Sequence, residues 1–391
     1  MTPLAGVRVL DLSRVLAGPW AGQLLADYGA DVIKVERPGA GDDTREWGPP
    51  WWGDASDRMS AYYLSANRGK RSIAIDIASA DGATLVKQLA READVLLENY
   101  KVGQLAKYGL DHASLRALNP RLIYCSITGY GQTGPYAPAA GYDFAIQATG
   151  GLMSVTGEKD GTPGAEPQKV GVAVADLFTG LYATTAILAA LQERHRTGLG
   201  RWIDAALLDT QLAMLANQAS NYLVGGYTPK RMGNAHVNVV PYQVFKTKDG
   251  HIVLAVGNDG QFQRFCKLAG REPIGTDARF ATNALRIQNR QALVSQIAAW
   301  MLERTTGEWT ALLEPHAVPC APILDVPEVF AHPQVVARGM KIHTAGMPMV
   351  APPMRLDGER AVSARPAPQL DEHGAAIRDA LARSPAWPSA E

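Results

Sequence analysis

The sequence predicts an α/β fold: an open parallel sheet covered by helices on both faces, followed by a smaller α+β unit. Two observations carry this expectation. Short runs rich in Val, Ile and Leu alternate, from the first residues onward, with segments whose apolar residues recur at helical spacing. A change of texture near residue 222, where Gly, Tyr and polar residues accumulate, then marks the passage into a second unit.

In chain order, residues 7–13 read as a buried strand, Trp20, Leu24, Leu25 and Tyr28 as one face of a helix, and residues 32–36 as a second strand, which makes a β-α-β unit. The rhythm continues with strands over 72–76, 95–99 and 122–128 and a helix over 82–92. Strands separated by helices lie parallel and are covered on both faces. Beyond residue 222, strands over 242–247 and 252–256 flank a Lys248-Asp249-Gly250 turn, and helices are expected over 261–268 and 290–304. A last helix near 374–382 precedes a Pro-containing stretch, 384–391, expected to be a loose tail.

Composition narrows the function classes. The chain has 391 residues, 47% of them hydrophobic, enough for more than one structural unit. Its 38 basic and 38 acidic residues cancel, so no global field favours nucleic acid or an anionic membrane, and any anion must be held by a local pocket. Arg8 and Asp11 interrupt what a signal peptide would keep apolar, and the greasy segment over 181–191 is broken by Thr184 and Thr185. Neither a leader nor a membrane helix is expected, and a cytoplasmic protein is. Cys125, Cys266 and Cys320 are odd in number and far apart, without metal-ligand spacing, and read as buried thiols; no metal site is expected.

Glu36 closes the second strand, where a dinucleotide-binding protein places its ribose-reading acid. The first strand-to-helix turn, Ser13-Arg14-Val15-Leu16-Ala17-Gly18, lacks the G-x-G-x-x-G pattern, and its bulky residues obstruct a pyrophosphate. A dinucleotide-dependent oxidoreductase is therefore disfavoured. Arg37, the next residue, suits a phosphate on an adenosine ribose, such as the one coenzyme A carries.

Longer segments are more specific. Leu4-Ala5-Gly6-Val7-Arg8-Val9-Leu10-Asp11, Gly18-Pro19, Gly29-Ala30-Asp31-Val32-Ile33-Lys34-Val35-Glu36-Arg37-Pro38-Gly39, Asn67-Arg68-Gly69-Lys70-Arg71, Glu98-Asn99-Tyr100 and Val172-Ala173-Val174-Ala175-Asp176-Leu177-Phe178 resemble the family III CoA-transferases (CaiB/BaiF type, which includes formyl-CoA and carnitine CoA-transferases). The resemblance runs on through Gly233-Asn234-Ala235-His236 and Gly257-Asn258 to Pro319-Cys320-Ala321-Pro322. It implies a large Rossmann-like domain formed by residues 1–221 together with a C-terminal segment, 331–391, that returns to it. A small domain over 222–330 lies between them, and two such chains interlock as a homodimer. It implies no permanently bound cofactor, with coenzyme A and acyl-CoA acting as substrates beside a small carboxylic acid.

Asp176 opens an apolar helix whose stripe is read as Leu177, Phe178, Leu181, Ile187, Leu188 and Leu191. There a carboxylate can cap free backbone N–H groups and feel the helix dipole, both of which favour its ionised form. By the resemblance, Asp176 is the nucleophile that attacks the acyl-CoA thioester. The resemblance also assigns CoA contacts to Val15, Leu16, Ala17, Arg37, Ile75, Asn99, Tyr100 and Lys107. The run Gly257-Asn258-Asp259-Gly260, with Gly257 and Asn258 at its head, is the candidate oxyanion loop. The Gly141-Tyr142-Asp143 run carries Tyr142 where α-methylacyl-CoA racemases of the same fold carry a histidine; tyrosine is a poor base near neutral pH, which sets the racemase second. Segments such as Gly41-Asp42-Asp43-Thr44-Arg45 and Asn234-Ala235-His236 resemble the succinyl-CoA-dependent branch acting on glutarate, hydroxymethylglutarate, itaconate and related dicarboxylates. Arg45, Arg71 and His236 are its candidate partners for a distal carboxylate.

Overall fold

A computed structural model describes residues 2–389, which fall into two compact units. The first gathers the chain up to Leu152, Lys169–Tyr227 and everything from Pro333 onward; the second gathers Met153–Gln168 and Thr228–His332. Met153–Gln168 departs from the sequence reading, which left it within the large domain. Within the second unit, Gly157 bridges Pro167 and Asp160 forms an ion pair with Arg231.

The first unit is built on a six-stranded sheet: β1 (Arg8–Asp11), β2 (Asp31–Glu36), β3 (Lys70–Ala74), β4 (Val95–Glu98), β5 (Ile123–Thr128) and β6 (Trp202–Ala206). The spatial order is β3-β2-β1-β4-β5-β6, and every pairing is parallel. This is the doubly wound order of Rossmann-type sheets. Strands buried on both sides send alternate residues to opposite cores. Val9, Val32, Val95, Leu97, Ile123 and Cys125 face the helices Ala17–Asp27 and Val174–Thr197. Leu10, Ile33, Ile73, Leu96 and Tyr124 face Ala80–Glu92, His112–Leu118 and the late helix Gly374–Arg383.

The helix Val174–Thr197 runs for 24 residues, longer than the interrupted segment read from sequence, and by length and composition alone could cross a bilayer. Its packing makes it a core helix, through part of the expected stripe, Ile187 and Leu191, joined by small residues. Ala175, Thr179, Gly180, Ala183, Thr184, Ile187, Ala190 and Leu191 are buried, whereas Phe178 and Leu181 are exposed. Small residues win because the helix lies close on Ala17–Asp27. A Cβ at Gly180 would stand 2.6 Å from the Ala17 carbonyl oxygen, a collision only glycine avoids.

The tail is also not loose as far as it is described. Trp387 donates its indole N–H to Asp31 at 2.7 Å, and Arg71 donates to the carbonyls of Pro388 and Ser389 at 2.9 and 3.0 Å. In the second unit, β7 (Tyr242–Lys246), β8 (His251–Ala255) and β9 (Cys320–Pro322) form an antiparallel sheet in the order β9-β8-β7. Its core joins Phe245, Ile252 and Leu254 to Phe262, Phe265, Leu293, Ile297 and Trp309 from the surrounding helices.

Candidate active site

In a doubly wound sheet the strand order reverses between the first and fourth strands, and the two chains leaving their carboxyl ends diverge and open a crevice. Here those chains are Arg14-Val15-Leu16-Ala17 after β1 and Asn99-Tyr100-Lys101-Val102 after β4. Both line a cavity of about 470 Å³, together with Asp43, Trp47, Thr128, Gly129, Gly141, Tyr142 and Asp176. The fold thus assembles Val15, Leu16, Ala17, Asn99, Tyr100, Tyr142 and Asp176 in one place. Asn99 ties the two edges together: its side-chain oxygen accepts from the Arg14 N–H at 2.9 Å and its amide donates to the Arg14 carbonyl at 2.7 Å.

Val15 adopts φ 70°, a left-handed conformation that β-branched residues rarely enter. What holds it is Asp42, whose two carboxylate oxygens accept from the Val15 N–H at 3.2 Å each. Asp42 is in turn paired at 2.9 Å with Lys34, both side chains being fully buried, and Lys34 also donates to the Ser13 carbonyl at 2.8 Å. Burial works against the Asp42 charge, but Lys34 and the Thr44 N–H prevail and hold its pKa down to about 2. Lys70 repeats the device beneath, 2.9 Å from Asp11.

Asp176 lies opposite, half-buried in the first turn of its helix. The cap is not its own. Asp143, half-buried at the start of the helix Asp143–Thr149, accepts from the Ala175 N–H at 2.8 Å and from the Asp176 N–H at 3.3 Å. Burial, and then the neighbouring Asp143 charge, push the Asp176 carboxyl up to about 7, the reverse of the ionised bias expected from its helix position. No Lys, Arg or His among the described residues forms an ion pair with it. A carboxylate so placed has the chemistry that either a nucleophile or a proton carrier requires, since no ion-pair partner consumes its charge.

Other sequence candidates fall elsewhere. Arg37 is largely exposed, 3.9 Å from Asp43 at the cavity wall. Ile75 is buried and lines a separate hollow of about 450 Å³ with Asp76, Ser79, Gly82 and Arg378. Lys107 is exposed on the short turn Leu105–Tyr108.

Arg45 and Arg71 do not offer a guanidinium to a substrate. Arg45 makes two 2.7 Å bonds to Glu36 and also reaches Tyr63 and the Pro368 carbonyl, while Arg71 grips Asp31. His236 belongs to the second unit, where it accepts from the Asn238 N–H at 3.0 Å and its ring lies 5.2 Å from that of Tyr242. Gly257 and Asn258 cap the helix Asp259–Leu268: Asn258 accepts from the Gln261 N–H at 2.9 Å, and the Gly257 N–H is taken by the Gln261 side chain at 2.7 Å. That donor is therefore not free for an oxyanion. Arg14, Asp43 and Asp143 were missed as site residues. Arg14 and Asp143 stand inside the quoted first turn and Gly-Tyr-Asp run, which was the available signal.

The site is a switch-point crevice of a Rossmann-type sheet, lined by a carboxylate that no cation among the described residues pairs with. Residues 4–374 match CoA-transferase family III, and the chain belongs to that family. It is similar to a succinate–glutarate CoA-transferase of Agrobacterium fabrum, 51% identical over 96% of this chain and 94% of the relative. It is likewise similar to a human succinyl-CoA:glutarate CoA-transferase, 46% identical over 95% of this chain and 84% of the relative. Among solved structures, a CaiB/BaiF family protein from Brucella suis superposes with a TM-score of 0.87 at 52% identity, covering 97% of this chain and 99% of that one. The protein is a CoA-transferase, whose substrates are CoA thioesters and carboxylic acids.

Proposed function

We propose that the protein moves CoA from succinyl-CoA to glutarate, or to a closely similar dicarboxylate, with Asp176 as covalent nucleophile. The observation that carries the mechanism is the half-buried Asp176 carboxylate, with no ion-pair partner among the described residues, in the crevice at the sheet's switch point. The relatives named for succinyl-CoA:glutarate transfer support the substrate pair.

Exchange of a thioester for a free acid otherwise requires two anions to meet. An enzyme carboxylate divides the problem. Asp176 attacks the thioester carbonyl and expels CoA thiolate, leaving a mixed anhydride. The thiolate then attacks the aspartyl carbon and releases succinate, so that CoA rests on Asp176 as a thioester. Glutarate retraces the two steps in the opposite sense. Each step exchanges one acyl bond for another, so the cycle needs no resident cofactor. Val15, Leu16, Ala17, Asn99 and Tyr100 form the walls for the CoA arm, and Arg37 is placed for a nucleotide phosphate.

Two such chains form a homodimer in this reading. Its support is the apolar surface that the first unit leaves uncovered, including Phe178, Leu181, Tyr182, Tyr222, Leu223 and Val224. The free thiols, of which Cys125 and Cys266 are buried as read from sequence and Cys320 only half-buried, suit the reducing cytoplasm. The direct test offers succinyl-CoA with glutarate, 3-hydroxy-3-methylglutarate, itaconate, malate and citramalate separately and reads the CoA esters by mass spectrometry. Glutaryl-CoA is the expected leading product; absence of any acid-dependent exchange would refute the reading.

A further inference from the structure

We propose that Asp143 is a positioning residue for the nucleophile: it fixes the main chain that carries Asp176 and, by facing that side chain with a like charge, favours its conversion to the neutral CoA thioester. The inference rests on the reading of Asp176 given above. The first N–H groups of a helix have no partner within the helix, and Ala173, at the cap position, has no side chain to supply one. Asp143 supplies it from another helix through the bonds to Ala175 and Asp176. Its own orientation is set by Gln147, fully buried, which donates to it at 2.6 Å and accepts from the Val170 N–H at 2.9 Å.

For capping, an uncharged Asn or Ser serves about as well as Asp. The charge is therefore surplus to the structural task. It works against the fold, because two carboxylates share a half-buried corner and neither has an ion-pair partner among the described residues. Tyr62 also feels Asp176 but is pushed up to about 12 by burial and then by Asp176 and Asp143, so it neutralises neither. Of the other charged or titratable groups lining the cavity, Tyr100, Tyr142, Asp43, Arg14 and Lys101, Arg14 is paired with Asp43 and Lys101 forms no ion pair with Asp176. The free enzyme holds one negative charge at position 176 and the loaded enzyme none. In loading, the acyl carbon–sulfur bond of the donor and one aspartyl carbon–oxygen bond break, and an aspartyl carbon–sulfur bond and an acyl carbon–oxygen bond form. The charge leaves with the product acid, which carries one oxygen from Asp176. Repulsion from Asp143 acts only on the free side of that balance, so it pushes the balance toward the loaded enzyme.

The test compares wild type with Asp143→Asn and Asp143→Ser. The fraction of enzyme carrying the mass of CoA is read by intact mass spectrometry at a fixed succinyl-CoA to succinate ratio and pH 8, and the acid limb of kcat/KM is recorded in parallel. In both variants the acid limb should move to lower pH, and the loaded-to-free ratio should fall by roughly tenfold for each pH unit of that movement. A merely structural role would leave the acid limb in place. Folded variants with unchanged limb and unchanged loading overturn the proposal, as does loss of the fold in both, which would make the charge itself structural. If wild type never carries CoA during turnover, the nucleophile reading falls first, and this inference with it.

Discussion

On the β1 side of the cavity, Asp42 sits against Lys34 and supports the strained Val15 turn; on the helix side, Asp176 faces Asp143, and neither is ion-paired among the described residues. Both carboxylates are shielded from water in the same unit, yet one is held down to about 2 and the other pushed up to about 7. The difference separates scaffold from chemistry. A carboxylate that shapes the wall is given a buried partner and kept charged, whereas one that must change its bonding is left without a partner that would stabilise the starting state.

The contrast breaks most visibly at Asp176. Asp176→Ala should lower kcat by about a thousandfold or more while the fold persists, since the side chain supports no other group. Lys34→Met should do the opposite, costing about 3–5 kcal/mol of stability because Asp42 is left buried and unpaired, which a denaturant titration would read. Stability against pH gives a third contrast. The Asp176 pKa is raised above its unfolded value, so the folded protein binds the extra proton, and stability declines as pH rises from about 4 through about 7. Asp176→Asn should accordingly raise stability at pH 8, by about 1–2 kcal/mol after allowance for solvent screening. Asp42 has the opposite sign: its contribution is present above its unfolded pKa and is lost as pH falls from about 4 toward about 2. Smaller still, Asp42→Asn should cost less stability in a Val15→Gly background, by about 1 kcal/mol, because glycine enters the left-handed conformation unaided.

Much of this arrangement is legible in the sequence because strand ends are legible. Val15, Leu16, Ala17, Asn99 and Tyr100 are assigned by the family resemblance, and they follow apolar runs whose ends a parallel sheet places along one edge. β6 escaped notice for a physical reason. It is an edge strand whose Trp202 and Asp204 are exposed, so Trp-Ile-Asp-Ala-Ala shows no continuous apolar run. Arg45 and Arg71 were read as candidate substrate partners because their true partners are remote in the chain: Glu36 lies nine residues away and Asp31 forty. The cap on the nucleophile helix comes from Asp143, 33 residues upstream, where no local pattern could announce it.

The account stands most directly on where CoA becomes attached. Enzyme mixed with succinyl-CoA in the absence of acceptor, then treated with hydroxylamine and digested, should yield the peptide containing Asp176 with its carboxyl converted to a hydroxamate, and Asp143 unmodified. If enzyme turning over at a measured rate yields no adduct at Asp176, or yields one at another carboxylate, the covalent route through Asp176 is contradicted.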